Sequence, residues 1–311
     1  MKFNIYHMFS KKLSHLSLSL IALIGVMLFS SCGEGSTEEI TNQDSNISVD
    51  TEKPDNSAQR VAAVKHIFQT IPSPIEMAEL IRKSGADFDA ALMNSTDNME
   101  KYTNVRQQAV NLGVYGADLS YASMFEQQQQ SIYYLSAARG LAKQLGVEDA
   151  IDNDLIERVN DNRTSRDSLV QIVADAYYNL NGYLKESDRE QVSALVIAGG
   201  WIEGLYLATS HVTSDNDKLK ERIAEQKYSL KDLIALLDTY EGVPELGNII
   251  QDMKGIQTLF ENVKIKKGKT ETSRDTEGRM MIGSSNTITI SDETLEAIKT
   301  KIQDVRNQYI Q

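Results

Sequence analysis

"VSALVIAGGWIEGLYLATS", residues 192–210, carries a single charge, Glu203, in nineteen residues. A segment this apolar either spans a membrane or sits, buried on every side, in the centre of a helical bundle. Gly199, Gly200 and Gly204 lower its intrinsic helicity, and the segments around it are amphipathic, as suits helices sharing one core in a water-soluble body. The stretch therefore reads as a central bundle helix. Its one acid must then be hydrogen-bonded, charge-paired or protonated, because an isolated buried carboxylate is strongly disfavoured.

The partner of this helix is expected in residues 103–125, "TNVRQQAVNLGVYGADLSYASMF". Gly113 and Ala117 present a small face four residues apart, as Gly200 and Gly204 do, and small faces let two helix axes approach closely. Each segment also places an acid three residues before a tyrosine, Asp118 with Tyr121 and Glu203 with Tyr206, and residues at that spacing share a helix face. Asp118, Tyr121, Trp201, Glu203 and Tyr206 are thus expected at a semi-polar centre of the bundle. Two uses stay open: a pocket for a small molecule, or a polar network that holds the helices in register.

Working outward, "SPIEMAELIRKSG" (73–85) has Ser73 as cap, Pro74 at the first helical position, Glu76 as its reciprocal partner and Gly85 as stop. The same logic predicts starts at Ser187 with Glu190 and at Ser229 with Asp232, the latter helix ending at Gly242 and Pro244. Leu169, Ile172, Val173, Ala176, Tyr177 and Leu180 form one stripe. "QQQQSIYYLSAARGLAKQLG" (127–146) makes a further helix, joined to the preceding one near Glu126 and capped by Gly146. Core packing is the expected duty of Tyr133, Tyr134, Tyr177 and Tyr178.

Near the C-terminus "KIKKGKTETSRDTEGR" (264–279) is charged and glycine-broken, while "MMIGSSNTITIS" (280–291) alternates like a short β-hairpin. Leu295, Ile298, Ile302, Val305 and Tyr309 then follow a helical spacing that predicts a helix docked on the bundle. "NLGVYGADLSYASMF" begins like a tetratricopeptide repeat, but Gly116 replaces its tyrosine and no second copy follows. The expected fold is all-α, a multi-helix bundle with a short hairpin near the C-terminus.

Residues 1–31 hold Lys2, Lys11 and Lys12, no acid, and an unbroken apolar run from Leu20 to Phe29, the layout of an export signal. "LFSSC", ending at Cys32, resembles the bacterial lipobox, in which the cysteine sulfur receives diacylglycerol and becomes the new N-terminus. Cys32 is the only cysteine, so an exported chain offers it no disulfide partner. Residues 32–57 then read as a lipidated cysteine followed by a polar, acidic stalk. Residues 58–311 read as the helical domain, with a sub-boundary near 160 left open.

Losing residues 1–31 takes away three lysines and no acid, so the net charge of −12 becomes −15. Such a surface repels phosphate backbones, and nucleic acid is not expected as a partner. His66 and His211 are the only histidines after the leader, each with alanine three residues before it, so the Glu-x-x-His pairs of a di-iron bundle are missing. Both read as surface or capping residues. No metal, cofactor or catalytic residue is expected on motif grounds. Paired carboxylates remain an unspecific option for an enzyme.

"IPSPIEMAELIRKSG", "NLGVYGADLSYASMF", "IYYLSAARGLAKQLGV" and "GGWIEGLYLATS", in that order across roughly residues 70–210, resemble an uncharacterised family of helical lipoproteins of Bacteroidota. The resemblance implies a lipid-anchored helical body with no assigned activity, and supplies no catalytic residue. In that group acids soon after the lipidated cysteine accompany export to the outer face, and Glu34, Glu38 and Glu39 fit this. The expectation is a lipoprotein of the cell envelope, at the outer membrane, tethered through Cys32, with the periplasmic and the surface face both left open. Its domain is expected to bind or scaffold an envelope protein or a small molecule. The alternative is an envelope enzyme using acids in the central pocket.

Overall fold

Two helices with no solvent-facing side set the architecture. They are α2 (Val105–Met124), buried continuously from Ala109 to Met124, and α6 (Glu190–Ser210), which carries the opening stretch. The computed structural model describes residues 74–162, 165–266, 270–274, 280–284 and 287–311. The leader, Cys32, the stalk, His66 and Ser73 lie outside these. α6 is long and apolar enough to span a bilayer, yet 89% of its apolar window is buried inside the protein. It is the core helix of a bundle.

Around this pair the chain wraps α1 (Pro74–Lys83), α3 (Gln128–Gln144), α4 (Asn153–Asp161), α5 (Arg166–Glu186), α7 (Asp217–Asp238), α8 (Gly247–Phe260) and α9 (Asp292–Ile310). α1 packs on both α2 and α6; α3 and α5 pack on α2; α9 packs on α6 and α8. The described residues fall in one compact unit, and α5, beyond residue 160, packs on α2 and α6. Between α8 and α9 run β1 (Lys264–Lys266), β2 (Thr270–Arg274), β3 (Met280–Ser284) and β4 (Thr287–Thr289). They pair antiparallel as β1 with β4 and β2 with β3, in register Ile265↔Ile288 and Thr272↔Ile282. The hairpin is thus longer than residues 280–291: those supply its return arm, and the charged segment before them supplies the other. Backbone pairing needs no apolar side chain, so a polar arm carries no pattern announcing it.

The closeness of α2 and α6 comes from glycine. A Cβ on Gly199 would collide with the Val110 carbonyl, and one on Gly113 would collide with the Val196 carbonyl and lie 2.6 Å from the Gly200 nitrogen. Gly204, expected in this contact, faces Met77 of α1 instead, where an added Cβ would lie in ordinary contact at 3.7 Å. Four residues advance a helix by somewhat more than one turn, so the small face of α6 drifts from one neighbour to the next.

Several helix ends follow the sequence. Gly85, Gly146 and Gly242 take φ values of +82°, +67° and +91°, and Glu126 turns the chain from α2 to α3 at +59°. Asn104 caps α2 by accepting from Gln107 N–H, and Ser291 caps α9 by accepting from Thr294 N–H. Two expected caps differ. Ser187 closes α5 rather than opening α6, which starts after Arg189. Ser229 lies inside α7, its hydroxyl spent on the Gln226 side chain at 2.8 Å, while Asn216 caps that helix. Of the four tyrosines assigned to the core, Tyr134 is buried and Tyr177 half-buried, but Tyr133 and Tyr178 are 50% and 73% exposed.

Gly199→Ala should destabilise the protein by about 1–3 kcal/mol, because the backbones must part to admit one methyl. Gly182→Ala in α5, where nothing lies within 4 Å of the new methyl, should be neutral or stabilising by up to about 1 kcal/mol. Urea unfolding of both variants measures the contrast.

Candidate functional site: a carboxyl pair clamped by the C-terminal helix

Glu203 and Asp118, on the facing helices α6 and α2, have no solvent exposure. The apolar stripe of α9 carries Arg306 onto them, since Ile302, Val305 and Tyr309 dock and Arg306 sits on the same side. Arg306 Nε donates to Glu203 Oε2 at 2.6 Å and Nη2 to Oε1 at 2.8 Å, a two-pronged ion pair with both partners buried. Nη2 also donates to the Leu92 carbonyl at 2.8 Å. The guanidinium carbon stands 4.0 Å from the centre of the Tyr206 ring, whose negative face favours the cation. Burial works against the charge of Arg306, and the Glu203 carboxylate outweighs it, so its pKa is raised.

Among the described residues Asp118 has no cation of its own. Its Oδ2 accepts the Asn94 N–H at 3.1 Å, and its Oδ1 has no donor of ordinary geometry. Burial, then the nearby Glu203 charge, raise its pKa well above the usual carboxylate range, against the opposing pull of Arg306 and the Asn94 N–H. With the guanidinium paired to Glu203, burial and that neighbouring charge favour the neutral form of Asp118.

Asn94 joins this centre to the rest of the core. Its Nδ2 donates to the Tyr102 hydroxyl at 2.9 Å and to Asn111 Oδ1 at 3.3 Å, while its carbonyl accepts from the Tyr134 hydroxyl at 2.9 Å. Asn111 Nδ2 donates to the Tyr309 carbonyl at 2.7 Å, and the Tyr102 hydroxyl to the Ile310 carbonyl at 3.2 Å. The end of α9 is thus held by α2 and by the segment before it, as well as by Arg306.

Of the five residues expected together, Asp118, Glu203 and Tyr206 meet. Trp201 does not, because two residues place it on the far side of α6; its Nε1–H donates to Ser229 Oγ of α7 at 3.2 Å. Tyr121 reaches one turn beyond Asp118 into another cluster. There its hydroxyl accepts the Asp89 N–H at 2.9 Å and lies 2.8 Å from His211 Nε2, with Phe88 and Phe125 against its ring. The Tyr121 hydroxyl keeps a proton and a second lone pair for this contact, so the tautomer of His211 decides which of the two groups donates. Burial lowers the His211 pKa, against Asp89, and burial pushes the Tyr121 hydroxyl up to about 12. His211 caps the end of α6, as read from sequence, and is in addition half-buried and bonded through its ring.

Arg306 and Asn94 went unread in the sequence. Arg306 left a signal, a cation four residues after Ile302 and three before Tyr309 on a stripe otherwise apolar. Asn94, in an irregular segment between two 3₁₀ turns, left none. Among the described residues no group of three or more His, Cys, Asp or Glu is placed to hold a metal ion. What the cluster can do chemically is fix a register: acids that solvent does not reach, one of them paired with Arg306 and the other bonded to Asn94, hold α2, α6 and α9 to one another.

Because Asp118 binds its proton more tightly folded than unfolded, the native state holds the extra proton from about pH 4 upward, and stability falls as pH rises until the folded pKa is passed. Asp118→Asn keeps the acceptor for Asn94 and removes the proton. In denaturant unfolding at a series of pH values, the difference between wild type and variant should move steadily in the variant's favour as pH rises. Comparison of the chain with protein-family models, with curated proteins and with solved structures finds no match.

Proposed function

We propose that the chain is an acylated lipoprotein of the cell envelope, at the outer membrane. It is exported by residues 1–31, cut before Cys32 and tethered through lipid on that sulfur. The all-α domain then binds or scaffolds an envelope protein or small molecule and carries out no reaction of its own. Support for the tether comes from the leader's anatomy, from the lone cysteine directly after it, and from the resemblance to helical lipoproteins of Bacteroidota. One acyl chain holds a protein only marginally and two or three hold it stably, so diacylglycerol on Cys32 is a sufficient anchor.

The observation that carries the non-catalytic part is the closure of the acid pair. Glu203 is spent on Arg306, and Asp118 has no exposed atom, so neither acid can reach a substrate without the withdrawal of α9. The enzyme alternative would need that withdrawal. The acidic surface, −15 after the leader, disfavours nucleic acid as a partner.

Metabolic labelling with a fatty acid tests the tether. Label in the wild-type protein, and none after Cys32→Ser, is the expected outcome. A wild-type product that is unlabelled and freely soluble, or that keeps its leader as a membrane span, contradicts it.

A further inference from the structure

Residues 86–91 lie against the C-terminal end of α2 as a strap between two fixed points. Before them, the Ser84 carbonyl accepts from Asn216 Nδ2 at 3.3 Å and Gly85 turns the chain at φ +82°. After them, the Asn94 N–H is held by Asp118 and the Ser95 carbonyl accepts from the Tyr115 hydroxyl at 2.9 Å. Among the described residues, one hydrogen bond ties the strap itself to another element: the Asp89 N–H donates to the Tyr121 hydroxyl at 2.9 Å. The Phe88 ring stacks on that of Tyr121, 5.1 Å between centres, and Asp87, Asp89, Ala90 and Ala91 are exposed.

That one bond leans on His211. Tyr121 is wholly buried, and its hydroxyl lies 2.8 Å from His211 Nε2 at the end of α6. A neutral ring with its proton on Nδ1 takes the hydroxyl's proton, and the oxygen keeps its lone pairs for Asp89; the hydroxyl is then satisfied as donor and as acceptor. A charged ring donates from both nitrogens, so no tautomer of it can accept. Its Nε2–H turns on the Tyr121 oxygen, and the hydroxyl's own proton loses its acceptor between Phe88 and Phe125, where an unmade hydrogen bond is disfavoured. Lifting the strap lets water resolve the conflict.

The charges around the ring are few. Tyr121 faces His211 from α2 and Asp89 faces it from the strap; among the described residues no group of α6 or of another element adds a charge that moves it. Asp89 favours the imidazolium, but its carboxylate is exposed and its Oδ1 accepts the Ala91 N–H at 2.9 Å. Solvent weakens that pull, and burial of the ring prevails. Asp118, one turn before Tyr121 on α2, disfavours a tyrosinate there and so keeps the hydroxyl a donor.

We infer that residues 86–91 form an acid-released strap: a proton on His211 breaks the junction through Tyr121 and frees the chain between Gly85 and Leu92, uncovering the aromatic face of Phe88, Tyr121 and Phe125. The inference stands apart from the lipid reading. The closed strap holds a neutral ring and so binds the proton less tightly than the open form. Its hold is complete above about pH 6.5 and declines as pH falls, by at most about tenfold per pH unit. Asp118 acts in the opposite sense, favouring the folded core as pH falls, so the two titrations are separable.

Amide hydrogen exchange on the full chain, read at each pH as protection relative to unstructured peptide, tests it. Between about pH 7.5 and about pH 5.5 the Asp89 amide should lose protection by at least about threefold, while that of Asn94, beyond the strap, should not fall. His211→Gln, a neutral side chain of similar reach, should abolish the loss at Asp89. In the wild type the His211 ring, followed by NMR and identified by its absence from that variant, should titrate below about 6.5. Protection of Asp89 that ignores pH would overturn the inference, as would a His211 ring that titrates at or above its ordinary value. A loss that persists in His211→Gln would also overturn it, assigning the effect to another group.

Discussion

The ion pair between Glu203 and Arg306 is the contact on which the rest of the core is arranged. It lies where three helices and an irregular segment meet. α6 supplies the carboxylate, α9 the guanidinium, α2 the neutral acid beside them, and residues 92–94 a carbonyl and an N–H. A buried pair is weak evidence of net stability, because desolvating both charges offsets most of their attraction. Its stronger consequence is selection. With Arg306 withdrawn, Glu203 is a bare buried charge beside a second acid, so packings that misplace α9 are excluded far more firmly than lost apolar contact alone would exclude them.

The same logic accounts for the proton on Asp118. One guanidinium neutralises one carboxylate, and the fork is engaged by Glu203 and the Leu92 carbonyl. An ionised Asp118 would add an unpaired charge with one hydrogen bond to its name. The cheapest resolution is to keep the acid neutral, and that ties the charge state of the core to pH without exposing any of it. The glycine contacts of α2 and α6 bring the two acids within reach of each other, and Tyr206 fills the space over the cation. Close helix packing and buried charge are therefore one design: the first creates the problem that Arg306 solves.

Much of this could be read beforehand. The apolar run of residues 192–210 with its single acid gave the central helix, and the paired small residues gave its partner. The i, i+3 rule put Tyr206 with Glu203. It failed for Tyr121, whose long ring carries the hydroxyl a full turn from its Cα, and no rule tied Trp201 to Glu203 on opposite sides of α6. Ser187 and Ser229 misled because a serine followed by an acid looks the same at a cap, after a helix end and in mid-helix; only the neighbours on α5 and α6 decide. Arg306 was hidden because a cation beside an apolar stripe is usually a solvated edge, and its partner lies 103 residues away.

A double-mutant cycle on the ion pair tests its primacy most directly. Arg306→Met leaves Glu203 buried without its cation, and Glu203→Met leaves the guanidinium without its anion. Each should cost about 3–5 kcal/mol in denaturant unfolding. Both together replace the pair by apolar groups of similar length, and that protein should be more stable than either single variant. Costs that simply add would contradict the account, showing Glu203 and Arg306 to be two separate contributors and the core to be ordered by something else.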